Sequence, residues 1–133
     1  MLLLLCLSLG LAYYSTQIQH IEYPQLLQNL KELTSTMNLD ESARKRVNEM
    51  IIVNDDNYTY TVDKRVIHLY NGDANSMKIA AIHELAHVIC DDIHHTKKFY
   101  EIENQLLQSA LKCNLIHTTI ISPDYPCVEH KQF

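Results

Sequence analysis

The residues best suited to chemistry in this sequence form one short motif, HELAH, at positions 83–87. Positions i and i+4 lie on one face of an α-helix, so His83 and His87 can present imidazole nitrogens to the same ion. Imidazoles at this spacing are typical zinc ligands, and a catalytic zinc lowers the pKa of its bound water to about 7. Glu84 can reach that water and accept its proton. The motif therefore predicts metal-assisted hydrolysis with Glu84 as the general base.

The context of the motif favours this interpretation over a chance match. The sequence predicts a helix over residues 74–90, in which Ile79, Ile82 and Ile89 can pack while the histidines face a cleft. The alternative is a pair of half-buried histidines with Glu84 in a surface ion pair. Further metal-ligating side chains follow within eight residues of the motif, which favours the metal site.

A catalytic zinc site needs a third protein ligand and keeps its fourth position open. The metzincin spacing would place a glycine three residues and a histidine six residues after His87. Those positions hold Cys90 and Ile93, so the metzincin type is excluded. Cys90 could itself bind a metal, but packing of a buried thiol explains it more simply.

Four other side chains are candidates for the third ligand. His94 and His95 follow a turn that lets the chain fold back over the helix. Glu101 or Glu103, on the next predicted helix, would give a gluzincin type of site instead. The residues alone leave the choice open, and we rank His95 first, His94 second and Glu101 third.

The helices and strands that the sequence predicts around these residues indicate an α+β domain. Helices are indicated over 24–37, 41–50, 74–90 and 97–114, and Asp40 is placed to cap the second of them. Residues 58–62 and 65–70 predict a β-hairpin around Asp63 and Lys64, and 116–121 are a candidate short strand. Residues 54–57 form a turn cluster.

Size and charge bound the possible functions. The chain has 133 residues, enough for a single domain over 15–133 that follows an apolar leader over 1–14. A formal net charge of −5 disfavours a nucleic-acid binder. The basic run 44–46 is interpreted as a solvated helix face. We expect a monomer.

The leader and the cysteines bear on the cellular compartment. Residues 1–14 are almost wholly apolar and predict a signal peptide or a membrane anchor, hence a secreted or membrane-associated protein. If the leader is instead a core helix, the protein is intracellular. The four cysteines form no CxxC pair, and Cys113–Cys127 is a conceivable disulfide, with free thiols equally compatible.

The segment 83–88, followed by 93–99, resembles the minimal zincins of the SprT-like and WLM-type group. It looks most like the small metallopeptidases of that type in large DNA viruses, whose pattern is HELAH, a short loop, and a histidine followed four residues later by Phe. The resemblance implies that His95 is the third ligand and that Phe99 packs to seat its helix. His94 stands where a small residue is commoner, which keeps His94 open as the ligand.

The resemblance also implies a cleft beside the metal. In zincins an edge strand pairs with an extended substrate through main-chain hydrogen bonds. Residues 65–70 are the candidate for that strand, and His68 or Tyr70 could line the cleft. Other expected roles are a donor to the tetrahedral oxyanion and an acceptor for a ligand imidazole. The candidates for the oxyanion donor are Tyr100, Tyr125 and His94. The candidate for the imidazole acceptor is the pair 91–92.

These features together predict a zinc metalloendopeptidase of the HExxH type. One Zn²⁺ is held by His83, His87 and His95, Glu84 is the catalytic residue, and the substrate is a protein or peptide. Two rivals remain. A non-catalytic, membrane-associated interaction protein would use zinc as a structural clamp, with Cys90 or Asp92 closing the site. A regulatory protein with a zincin-like fold would bind a partner in the cleft without turnover.

Overall fold

A computed structural model describes residues 23–126 of the chain. In chain order the described elements are α1 (Tyr23–Leu33), α2 (Glu41–Glu49), β1 (Ile51–Asp55), β2 (Tyr60–Val62), β3 (Val66–Tyr70), α3 (Ala74–Ile89) and α4 (Lys97–Lys112). The predicted α+β class is confirmed: four helices accompany a small three-stranded sheet in this part of the chain.

The sheet has the strand order β1-β3-β2, with β1 parallel and β2 antiparallel to β3. The strand over 65–70 is therefore central in the described sheet, and its prediction as an edge strand is wrong. It fails because β1 went unpredicted, although Ile51, Ile52 and Val53 are consecutive β-branched residues. Strand β2 takes the edge position instead.

The predicted hairpin is confirmed, with one difference in its loop. Val62 pairs with Val66, so three residues rather than two connect the strands. Asp63 and Lys64 have φ values of 54° and 52°, in the left-handed region, and the Arg65 amide donates to the Val62 carbonyl at 3.1 Å. Two successive positive φ values give the tight turn the twist that a hairpin needs.

Several element boundaries differ from their predictions. Helix α1 ends at Leu33 rather than at residue 37, because the next residues form a turn in which the Thr34 amide and hydroxyl both bond to the Lys31 carbonyl. Asp40 caps α2 as predicted, accepting from the Ala43 amide at 2.8 Å. Residues 116–121 form no strand, since they have no neighbour in the described sheet.

Helix α3, which carries the HELAH motif, is the centre of the core. The sequence indicated a helix with one apolar face, but α3 is buried on nearly every side because α1, α2, α4 and the sheet all pack against it. Ile67 and Leu69 of β3 are fully buried in the same cluster. A helix surrounded in this way has little freedom to shift, which fixes the motif rigidly in the fold.

The basic run 44–46 is not one solvated face, so that interpretation is wrong for part of it. Lys45 is exposed and lies 3.9 Å from Glu49, as expected for a surface pair. Arg46 is only 8% exposed, and its guanidinium donates to backbone carbonyls at the end of α3. The sequence could not predict the burial of this arginine, because the backbone carbonyls that it binds lie more than forty residues away.

Two predictions fall outside the described residues. The apolar leader over 1–14 precedes the described part of the chain, and Cys127 of the conceivable Cys113–Cys127 disulfide follows it. Both stay predictions. Among residues 23–126, no helix has the length and apolar character needed to span a membrane.

Candidate metal centre

Three histidines meet at one point beside α3. His83 and His87 project from one face of this helix, and His95 comes from the loop that precedes α4. One ring nitrogen from each lies within 4.8 Å of the others, and Nε2 of His87 is 3.0 Å from Nε2 of His95. These three residues can hold a metal ion.

The donor set fits a tetrahedral transition-metal site. Ligands about 2.0–2.1 Å from a tetrahedral ion lie about 3.3 Å apart, close to the spacing of the His87 and His95 nitrogens. Imidazole suits Zn²⁺ and also Cu, Fe and Ni. Burial, together with the neighbouring His83 and His95, lowers the pKa of His87 to about 3. The His87 ring is therefore neutral at pH 7, as a metal ligand must be.

The structure brings His95, rather than His94, to the other two histidines. His95 is half-buried in the group, whereas His94 is exposed. The turn between α3 and α4 sets this choice: Thr96 caps α4 by accepting from the Phe99 amide, and its hydroxyl donates to Asp92 at 2.6 Å. This local bonding fixes where the loop ends and which histidine points inward.

Phe99 packs against all three imidazoles. Its ring centroid lies 5.1, 4.4 and 4.7 Å from those of His83, His87 and His95, and the side chain is fully buried. The packing role implied by the resemblance agrees with this position. An apolar floor under three ligand rings restricts their rotation, which pre-organises the nitrogens.

Glu103 lies beside the group in a supporting position. Its Oε2 is hydrogen-bonded to Nδ1 of His83, which leaves Nε2 of His83 as the nitrogen available to a metal. A carboxylate on the second ring nitrogen fixes the tautomer and raises the basicity of a ligand histidine. Glu101, the other acidic candidate, is exposed and lies 3.8 Å from Lys97. Neither glutamate belongs to the group of three ligand atoms.

Glu103→Ala should weaken metal binding by the three histidines about 10- to 100-fold, because the His83 ring loses the carboxylate that orients it. Competition with a chromophoric chelator would measure the dissociation constant. Glu101→Ala is the matched control on the same helix and should bind like the parent. Equal affinities for the two variants would contradict the supporting role of Glu103.

The Glu84 carboxyl is buried next to the ligands, at 4% exposure. Burial raises its pKa, and a hydrogen bond from the Thr61 hydroxyl to Oε2, at 2.5 Å, opposes that rise. Thr61 lies on the edge strand β2 and pairs with the buried Ile67 of β3. Its side chain is therefore on the face of the sheet that packs against α3. Sequence reasoning missed Thr61. The only available signal was strand alternation, which places it on the inward face.

The candidates for the oxyanion donor lie in different surroundings. The Tyr125 hydroxyl donates to the Tyr70 carbonyl and bonds to the Thr59 hydroxyl, both at 2.8 Å, in a buried structural network. Tyr100 is 52% exposed, and its ring centroid is 5.9 Å from that of His95. Tyr100 is thus the phenol beside the histidine group.

The remaining candidates are placed elsewhere by the fold. His68 points away from α3, on the other face of β3 from the buried Ile67. Its ring stacks on that of Tyr60 with centroids 4.4 Å apart, and its Nδ1 lies 3.4 Å from Oδ2 of Asp55. Its prediction as a cleft residue is therefore wrong. Tyr70 shares that face and contacts Tyr125. Its prediction as a cleft residue fails for the same reason.

The side chains just after α3 also have other surroundings. Cys90 is fully buried, and Asp91 pairs with Arg46 and Lys98. Asp92 accepts the hydrogen bond from Thr96. Within residues 23–126, neither Cys90 nor Asp92 joins the group of three ligand atoms.

Comparison with known proteins finds viral relatives. The uncharacterized protein 042R of invertebrate iridescent virus 3 is 39% identical over 65 residues, which cover 43% of this chain and 41% of that protein. The uncharacterized protein 136R of invertebrate iridescent virus 6 is 37% identical over 71 residues, covering 46% and 40%. The chain thus matches less than half the length of these relatives. Neither a protein-family model nor a solved structure matches it.

Proposed function

We propose that this protein is a zinc-dependent metalloendopeptidase. The observation that carries the proposal is the arrangement of His83, His87 and His95 beside the buried carboxyl of Glu84. Three imidazoles that leave one coordination position open are the donor set of a hydrolytic zinc site. The resemblance of HELAH, His95 and Phe99 to SprT-like and WLM-type zincins also supports it.

The side chains divide the chemistry between them. When bound, zinc would polarise the scissile carbonyl and acidify a water. The oxygen of Glu84 that is not held by Thr61 accepts the proton and later returns it to the leaving amine. Tyr100 is our candidate for the donor to the oxyanion, because its ring lies beside that of His95.

The edge strand β2 is the proposed docking site for the substrate backbone. Among residues 23–126 its one strand neighbour is β3, and it lies against the motif helix through Thr61 and Glu84. An extended peptide can add to such an edge through main-chain hydrogen bonds, which accept many sequences. The substrate is therefore proposed to be an unfolded or flexible protein segment.

The rival in which zinc is a structural clamp needs a fourth protein ligand. Cys90 and Asp92 were its candidates, and both have other surroundings: Cys90 is packed in the core, and Asp92 bonds to Thr96. A three-histidine group favours a site that is open to water and substrate.

Metal removal tests the proposal directly. We expect the full chain to cleave a quenched-fluorescence peptide library, to lose this activity with 1,10-phenanthroline, and to regain it with one equivalent of Zn²⁺. Activity would be followed by fluorescence and metal content by atomic emission. Cleavage by metal-free protein would overturn the zinc mechanism. Zinc binding without cleavage would favour the regulatory rival.

Thr61→Val should lower kcat while leaving KM and zinc content unchanged. Valine matches threonine in shape but cannot donate to Glu84. A hydrogen bond to a charged group is worth about 1.5–3 kcal/mol, so we expect kcat to fall roughly 10- to 100-fold. Thr61→Ser keeps the hydroxyl and should retain most activity. A valine variant as active as the serine variant would remove Thr61 from the mechanism.

A further inference from the structure

The carboxyl-terminal end of α3, the helix that carries the HELAH motif, is capped in an unusual way. An α-helix leaves its last four carbonyls without intrahelical donors, and a glycine in the left-handed conformation commonly follows. Helix α3 ends without one: Cys90 is its cap residue, in an extended conformation, and its amide makes the last helical bond to Ala86. The carbonyls of residues 87–90 must therefore find other partners.

Two cationic side chains supply donors to all four carbonyls. Arg46 donates from Nε to Val88 at 2.7 Å and from Nη2 to Ile89 at 3.0 Å. The Lys64 ammonium donates to His87 at 3.2 Å and to Cys90 at 2.5 Å. We call Arg46 and Lys64 the cation clamp.

The clamp extends past the helix into the loop that carries His95. Lys64 also donates to the Asp92 carbonyl at 3.1 Å, and Arg46 forms an ion pair with the Asp91 carboxylate at 3.0 Å. The same two cations thus hold the backbone of one metal-binding residue, His87, and the start of the segment that leads to another, His95. Thr96 then ties the end of that segment to Asp92.

Physical costs at both residues indicate that this arrangement is specific. Arg46 is only 8% exposed, and burying its charged side chain is unfavourable unless the charge is hydrogen-bonded. Lys64 has a positive φ of 52°, which is uncommon for a residue other than glycine. The negative end of the α3 dipole, with the four carbonyls that accept from these two side chains, offsets the cost of burying charge there.

We propose that Arg46 and Lys64 are positioning residues of the metal centre. They act through the backbone: the clamp fixes the last turn of α3 and the loop 90–95 at the spacing that brings His87 and His95 to one ion. Because Lys64 belongs to the hairpin loop beside β2, the clamp also joins the proposed docking strand to the metal loop. The inference rests on the metal centre of the proposed function, not on its catalysis.

Zinc affinity of the full chain tests this inference. Lys64→Met removes the ammonium and keeps the aliphatic stem, and we expect its zinc dissociation constant to rise about tenfold or more, as for other supporting partners of ligand residues. The visible spectrum of the Co²⁺-substituted protein should change in the same variant, because the His87–His95 geometry relaxes. Lys64→Arg should restore both. Lys45→Met, an exposed lysine on α2, is the control and should match the parent.

The outcomes separate this inference from the proposed function. A parent chain that binds no zinc would overturn the metal centre itself. A parent that binds zinc, with a Lys64→Met variant of equal affinity and unchanged Co²⁺ spectrum, would overturn the clamp even if the variant melts earlier. If Lys64→Met does not fold, Lys64→Gln replaces it, because glutamine is uncharged and ends one bond short of the ammonium that reaches these carbonyls. The same two measurements then decide.

Discussion

Glu84→Gln should abolish peptide cleavage while leaving zinc bound. Glutamine fits the buried site and can still accept from the Thr61 hydroxyl, but it cannot take a proton from water. A positioned general base contributes about 10²–10⁴ in rate, so we expect kcat to fall by at least that range. Single-turnover cleavage of a fluorogenic peptide would measure it, with metal content checked in the same sample.

The control for this variant is Glu101→Gln, which changes an exposed glutamate on α4. It should cleave like the parent. Equal cleavage by Glu84→Gln and the parent would contradict the role of Glu84 as general base. If neither protein cleaves any peptide while both bind zinc, the cleft serves binding rather than turnover, as the regulatory rival predicts.

His95→Ala should lose zinc, whereas His94→Ala should retain it. Only His95 joins His83 and His87 in the group that can hold a metal, while His94 is exposed beside it. Removing one of three ligands should raise the zinc dissociation constant by more than about 100-fold, which is the upper value for loss of a supporting residue. Isothermal titration of metal-free protein with Zn²⁺ would measure both variants.

The paired substitution also tests the loop geometry. The two histidines are adjacent, so alanine at either position removes the same imidazole, and the two variants differ only in placement. Zinc loss in the His94 variant alone would reverse the assignment and imply a different path for residues 90–95. Equal loss in both would indicate that the pair acts together.

Much of the site was predictable because its pattern is local. Residues four apart on a helix face the same way whatever surrounds them, so the sequence placed His83 and His87 together. The α+β class and the hairpin likewise follow from periodicity and turn chemistry. The strand Ile51–Asp55 was missed, although its β-branched residues carried a signal, because the following polar residues were interpreted as a turn.

The supporting contacts could not be predicted, since they join residues far apart in the chain. Thr61 reaches Glu84 across 23 residues, Glu103 reaches His83 across 20, and Arg46 reaches Val88 across 42. No periodicity links such positions. The basic run 44–46 is an example. Three successive basic residues on a helix predict a solvated face, but the packing of α2 against α3 buries Arg46.

By itself, then, the sequence determined the α+β class and the HELAH motif, with two histidines on one helical face and a glutamate between them. The resemblance it carries selected His95 but left His94 open. The tertiary structure decided which histidine points inward, buried Glu84 under Thr61, and moved the edge of the sheet to β2. The reason is physical: helix geometry follows from local backbone bonding, whereas burial, edge position and third-ligand placement depend on which distant elements pack together.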